Sequence, residues 1–119
     1  MIAVFLFATS VFGQVSAKAT YASNGKMIAI ADLVELQDCR LENVTGKVTK
    51  VKVSNDNASV TLKSDAGKND FAVPLASIKS DDKAVLFKHL ITKGNTLRIG
   101  GYRCSDGSVP SAFSVDRVY

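Results

Sequence analysis

Cys39 and Cys104 are the only two cysteines in the chain, and they bracket most of its length. Two cysteines allow a single intramolecular pairing, so the compartment decides whether a covalent tie constrains the fold. Residues 1–17, MIAVFLFATSVFGQVSA, point to export. Residues 2–12 are almost entirely apolar and uncharged, yet shorter than the roughly 20 residues that cross a bilayer. Val15-Ser16-Ala17 then offers the small-residue pattern of a signal-peptide cleavage site, with a second cut possible after Ala19. Residues 1–17 are therefore expected to be a cleaved signal peptide, and the protein to be periplasmic or secreted. In that setting the cysteines are expected to form a disulfide, whose long loop stabilises by about 4 kcal/mol in the chain-entropy account. A metal or redox pair is the alternative. It lacks a CxxC motif, and the one histidine, His89, is distant in sequence.

About 100 residues remain after cleavage, enough for one domain with one core. The leader carries no charged residue, so the net charge of +4 belongs to the remainder. Residues 18–38 are expected to form an N-terminal arm and a short helix. Residues 18–26 are polar, and Ala29, Leu33 and Leu36 fit one helical stripe within residues 27–36.

From residue 39 onward the pattern is that of strands. Residues 44–53, VTGKVTKVKV, have strand composition with a fault in their alternation. Val44, Gly46 and Val48 share one face, while Val51 and Val53 share the other. Such a switch requires a bulge or bend, which Gly46 would help. Residues 54–57 read as a turn. In the next strand Ala58, Val60 and Leu62 are expected inward and Ser59, Thr61 and Lys63 outward. After a turn around Gly67, Phe71, Val73 and Leu75 give a third strand closed by Pro74. Ser80 is expected to cap a helix over residues 81–93 that stops at Gly94. Asp81 and Asp82 would sit at its positive end, and Ala84, Val85, Leu86, Phe87, Leu90 and Ile91 on its apolar stripe. Residues 96–104 form a fourth strand with Leu97 and Ile99 inward. Residues 113–119 form a fifth with Phe113 and Val115 inward.

The predicted fold class is thus mainly β with one α-helix, in the order β-β-β-α-β-β over residues 39–119. That is the order of the OB-fold, a five-stranded Greek-key barrel. In that topology the first and fourth strands pair. The two cysteines would then tie the entry of one to the end of the other.

Val44-Thr45-Gly46-Lys47-Val48, Asn55-Asp56, Gly94-Asn95-Thr96-Leu97-Arg98-Ile99, Cys104 and Gly107 together resemble the Shiga toxin B subunit family over residues 39–119. The resemblance implies a homopentameric ring that binds cell-surface glycolipid sugars and carries a separate catalytic subunit. It places the glycan contacts at Asn55, Asp56 and Asn57, at Thr61 and at Gly107, with Phe71 as a stand-in for an aromatic of the third strand. Read from the residues alone, the Asn-Asp-Asn run is also an ordinary turn, Phe71 a core residue and Gly107 a turn glycine.

Catalytic signatures are absent: the sequence contains no HExxH, Walker A or GxSxG motif. His89 reads as a solvated or interfacial helix residue, and Asp81-Asp82 as helix-start carboxylates rather than a metal pair. No metal or cofactor is expected. Lys47, Lys50, Lys52, Lys63 and Lys68 cluster on the first three strands. Nucleic-acid binding would need aromatic stacking partners, for which only Tyr102 and Tyr119 stand out. A lysine-rich solvated surface, or one that meets anionic lipid, lipopolysaccharide or an acidic partner, fits better. Asn43-Val44-Thr45 and Asn57-Ala58-Ser59 match the N-glycosylation pattern, which matters only in a eukaryotic secretory host. The expectation is an exported, non-catalytic binding module that recognises cell-surface glycans. The alternative is a periplasmic accessory protein that binds an envelope component or a protein partner.

Overall fold

The computed structural model describes residues 16–34, 38–105 and 109–119. The expected signal peptide, apart from Ser16 and Ala17, lies outside them, as do Leu36 and Gly107. Among the described residues the fold is mainly β with one helix. Seven strands follow in the order β1 (Lys18–Tyr21), β2 (Met27–Ala31), β3 (Arg40–Val53), β4 (Asn57–Ser64), β5 (Gly67–Pro74), β6 (Thr96–Arg103) and β7 (Ser111–Val118). Between β5 and β6 lies helix α1 (Ser80–Val85), continued by a π-helical turn over Leu86–Leu90.

The pairings connect five strands end to end. β3 pairs antiparallel with β4, β4 with β5, β6 with β3 and β7 with β6. β5 meets β7 in parallel, with Ala72 opposite Ser111. The β3 register jumps between Val48 and Lys50. Thr49 is thus the extra residue that the faulty alternation required, and Gly46 and Val48 are buried on the near side of it. Val48 makes both of its backbone hydrogen bonds to the loop before β6. It donates to the Asn95 carbonyl and accepts from Gly94 N–H, each at 2.9 Å. A Cβ at Gly46 would lie 2.8 Å from the Lys63 carbonyl oxygen, so the β3–β4 approach there needs a residue with no side chain.

The alternation in β4 and β5 is as the sequence predicts. Ala58, Val60, Leu62, Phe71, Val73 and Leu75 are buried. In β7, however, Phe113 is only half-buried. The register shift between Gly100 and Gly101 makes it the unpaired residue, and Ala112 takes the inward position beside Val115.

Residues 27–31 are a strand, not a helix. β1 and β2 form a hairpin around Gly25, whose φ is 83°. β2 then pairs with β7 through Ala29 opposite Asp116 and Ile30 opposite Val115. The hairpin register skips Ile28, so Met27 and Ile30 both turn inward although they are three residues apart. A bulged strand here imitates helical spacing. The pairing also covers part of the β7 edge that would otherwise offer unpaired backbone groups. Asp32, at φ 57°, redirects the chain so that Leu33 enters the core and its N–H donates to the Phe113 carbonyl.

The helix is shorter than predicted and capped differently. Its N-cap is Lys79, with no side-chain cap, and Ser80 is its first residue. α1 buries none of its side chains, and Ala84 is exposed. The π-turn buries Leu86 and Leu90. It ends where Ile91 N–H donates to the Leu86 carbonyl. The terminal carbonyls find side-chain donors: Asn95 Nδ2 reaches His89 and Leu90, and Thr92 Oγ1 reaches Phe87. This closes the helix several residues before Gly94.

Candidate functional site

Asn55, Asp56 and Asn57 form the exposed tip between β3 and β4. Their backbone is held firmly. Ser54 N–H and Ser54 Oγ both donate to the Asn57 carbonyl, and Leu75 N–H donates to the Asp56 carbonyl. Among the described residues, no side chain of these three takes part in a hydrogen bond, which leaves them presented to solvent on a fixed turn. The strand register sets what lies next to this tip. Asn57 is opposite Pro74 on β5, and two residues back along β5 Ala72 is opposite Ser111 at the start of β7. The tip and the start of β7, with Pro110 before it, therefore share one end of β5. Gly107 belongs to the loop between β6 and β7 but lies outside the described residues.

Thr61 faces outward four residues along β4. Its Oγ1 donates to Asp70 Oδ1 on β5 at 2.6 Å, and the two residues are directly opposed. Thr61 is thus engaged with a carboxylate rather than grouped with the tip. Asp70 was not singled out from the sequence. The two-residue turn at Asp65 and Ala66 would have found it, because it fixes the β4–β5 register. Phe71 is a core residue, 1% exposed, and cannot present its ring to a ligand.

The disulfide joins Cys39 and Cys104, with Cα atoms 4.8 Å apart. It extends the β3–β6 ladder by one step, since the adjacent Arg40 and Arg103 are paired. An open depression lies against it, lined by Asp38, Cys39, Arg40, Arg103, Cys104 and Ser105. Glu42 accepts from Arg103 Nε at 2.7 Å and from Arg40 Nη2 at 2.9 Å. The Arg103 guanidinium, with Arg40 assisting, holds the Glu42 carboxyl below the usual carboxylate range. The cations of the depression are in this way partly neutralised from within β3.

The remaining candidates have structural partners. His89 Nδ1 accepts Met27 N–H at 3.4 Å and so docks the N-terminal hairpin on the π-turn. Asp82 accepts the Tyr21 hydroxyl. Tyr102 is buried, 4% exposed, and packs edge-on against Phe113 at 5.8 Å, so it is not available to stack on a base. Tyr119 is exposed, with the Arg117 guanidinium over its ring. Among the described residues, no helix is long and apolar enough to cross a membrane. No protein-family model matches this chain, and no curated protein matches it either.

Proposed function

We propose that this chain is an exported, non-catalytic binding module built as an OB-type barrel, and that it recognises cell-surface sugars at the tip formed by Asn55, Asp56 and Asn57. The observation that carries the reading is the rigid presentation of that tip. The Asn57 and Asp56 carbonyls are tied to Ser54 and Leu75, while the three residues are exposed. Paired amide and carboxylate groups bind vicinal hydroxyls well, and a pre-ordered turn loses little freedom on binding. The barrel reading is supported by the continuous pairing of β3, β4, β5, β7 and β6, with a helix between β5 and β6. OB barrels take oligosaccharides at the loops following their first and fourth strands, which here are the tip and the β6–β7 loop. The resemblance to the Shiga toxin B subunit family adds the expectation of a homopentamer that carries a catalytic partner. The disulfide is compatible with a periplasmic or secreted location.

Native mass spectrometry and a glycan array test this together. The expected result is a five-copy species that binds neutral glycans and loses at least about tenfold in affinity in an Asn55→Ala/Asp56→Ala variant. A strict monomer with no glycan binding would overturn the reading.

A further inference from the structure

Five lysines project from the outer face of β3, β4 and β5. The register aligns three of them in a single row: Lys47 is directly opposite Lys63, and Lys63 is directly opposite Lys68. Neighbouring strands lie about 4.8 Å apart, so three positive charges occupy roughly 10 Å of sheet. After the bulge at Thr49, Lys50 and Lys52 continue on the same face, opposite Thr61 and Ser59. All five are exposed, and none forms an ion pair among the described residues. Asp70, the one carboxylate of β5 on this face, is held by Thr61.

Like charges directly opposite one another weaken a sheet. Burial does not require these lysines, because their neighbours Gly46, Val48 and Leu62 already supply the inward face. We infer that this face binds a polyanionic polysaccharide, one that carries sulfate, phosphate or carboxylate groups along its chain. The strand spacing sets the lysines at intervals comparable to the length of a sugar ring. Lysine supplies point charge without the planar fork that selects single phosphates. The exposed Ser59 hydroxyl lies opposite Lys52, suited to a sugar hydroxyl. The face carries no exposed aromatic side chain on which a base could stack, since the exposed tyrosines are Tyr21 on β1 and Tyr119 after β7. It also lacks an apolar wedge for a bilayer, as the exposed Leu41 and Val53 sit at the two ends of β3. The inference does not use the tip at Asn55, Asp56 and Asn57, and so stands or falls separately from the reading above.

Heparin is a suitable probe, followed by calorimetry across a salt series. The row variant Lys47→Gln/Lys63→Gln/Lys68→Gln is compared with Lys79→Gln/Lys83→Gln/Lys88→Gln, which removes the same charge from the helix region. The row variant is expected to lose at least about tenfold in heparin affinity and about two units of the log–log salt slope, by the counterion-release rule of about 0.7 per contact. The helix variant should stay within about twofold of the parent by the same rule. The row variant should also melt higher at low salt, with the gain erased at high salt, because the repulsion is gone. Equal losses in both variants, no binding of heparin, or binding to phosphatidylglycerol vesicles but not heparin would each overturn the inference. Loss of neutral-glycan binding in the tip variant, with heparin binding intact, would leave it standing.

Discussion

The Tyr21 hydroxyl on β1 donates to Asp82 Oδ1 on α1 at 2.5 Å, across 61 residues of sequence. It joins the N-terminal hairpin to the helix on the solvent side, while His89 does so closer to the core. The hydrogen bond to Asp82, then burial, then the charges of Asp82 and Asp81 push the Tyr21 hydroxyl from 10.0 up to about 12. A raised folded-state value means that the native state holds this proton more tightly than the unfolded chain does. The contribution is complete below pH 10.0 and declines as pH rises toward about 12. Ultraviolet titration should show a late-titrating component at high pH that is lost in Tyr21→Phe. The same variant should lose at most about 1 kcal/mol at neutral pH, as befits an exposed contact.

Glu42 gives the opposite limb. Its carboxyl lies below 4.5 because of Arg103 and then Arg40. Its contribution is complete above that unfolded value and is lost as pH falls through the lowered native one. Urea midpoints measured on the acid side should fall less steeply in Glu42→Gln than in the parent. An unchanged acid limb would show that the arginine contacts do not persist in solution.

The disulfide closes a loop of 65 residues. Replacing both cysteines with serine should lower stability by roughly 4 kcal/mol, read from urea unfolding with a steeper slope, because the freed loop lets the unfolded chain expand. Reducing agent should have the same effect on the parent and none on the variant.

Gly46 faces the backbone of β4 rather than a movable side chain: the Lys63 carbonyl oxygen is 2.8 Å from where a Cβ would stand. Gly46→Ala should therefore cost about 1–3 kcal/mol in chemical denaturation, because two paired strands must separate to admit the methyl group. A neutral result would mean that the β3 bend is softer than the contact implies.

Phe71 is buried, and Gly101 allows its ring to come close, with Cε1 2.9 Å from the position of a Cβ there. Phe71→Ala should cost about 3–5 kcal/mol, a core loss. Its glycan affinity, measured at a temperature where the variant is folded, should match the parent.

Much of the sheet from β3 to β7 was readable in advance because its signals are local. Ala58, Val60 and Leu62 alternate with polar neighbours, and two-residue periodicity reports one buried face directly. The fault between Val48 and Val51 announced a bulge before any pairing was known. Where the reading failed, a distant segment decided the outcome. Ala29, Leu33 and Leu36 recur at helical spacing, whereas pairing with β1 on one side and β7 on the other makes the backbone at 27–31 extended. Ser80 looks like a cap, but the chain enters the helix one residue earlier, at Lys79. Phe113 looks inward until the shift opposite Gly100 and Gly101 turns it aside. The proposed tip was visible as a polar turn, whereas the hydrogen bond from Thr61 to Asp70 needed the register of the next strand.

The sequence by itself determined the central strands, the helix between β5 and β6 and the one possible cysteine pair. Each depends on side-chain period, turn chemistry or simple counting, which act over a few residues or need no geometry at all. Only the tertiary structure decided that the N-terminal segment is a hairpin on β7, that Tyr102 is inside, and that Lys47, Lys63 and Lys68 stand in one row. Those outcomes depend on which backbone edges meet and in what register. Hydrogen bonds between strands far apart in the chain set that register, and no local pattern encodes their partners.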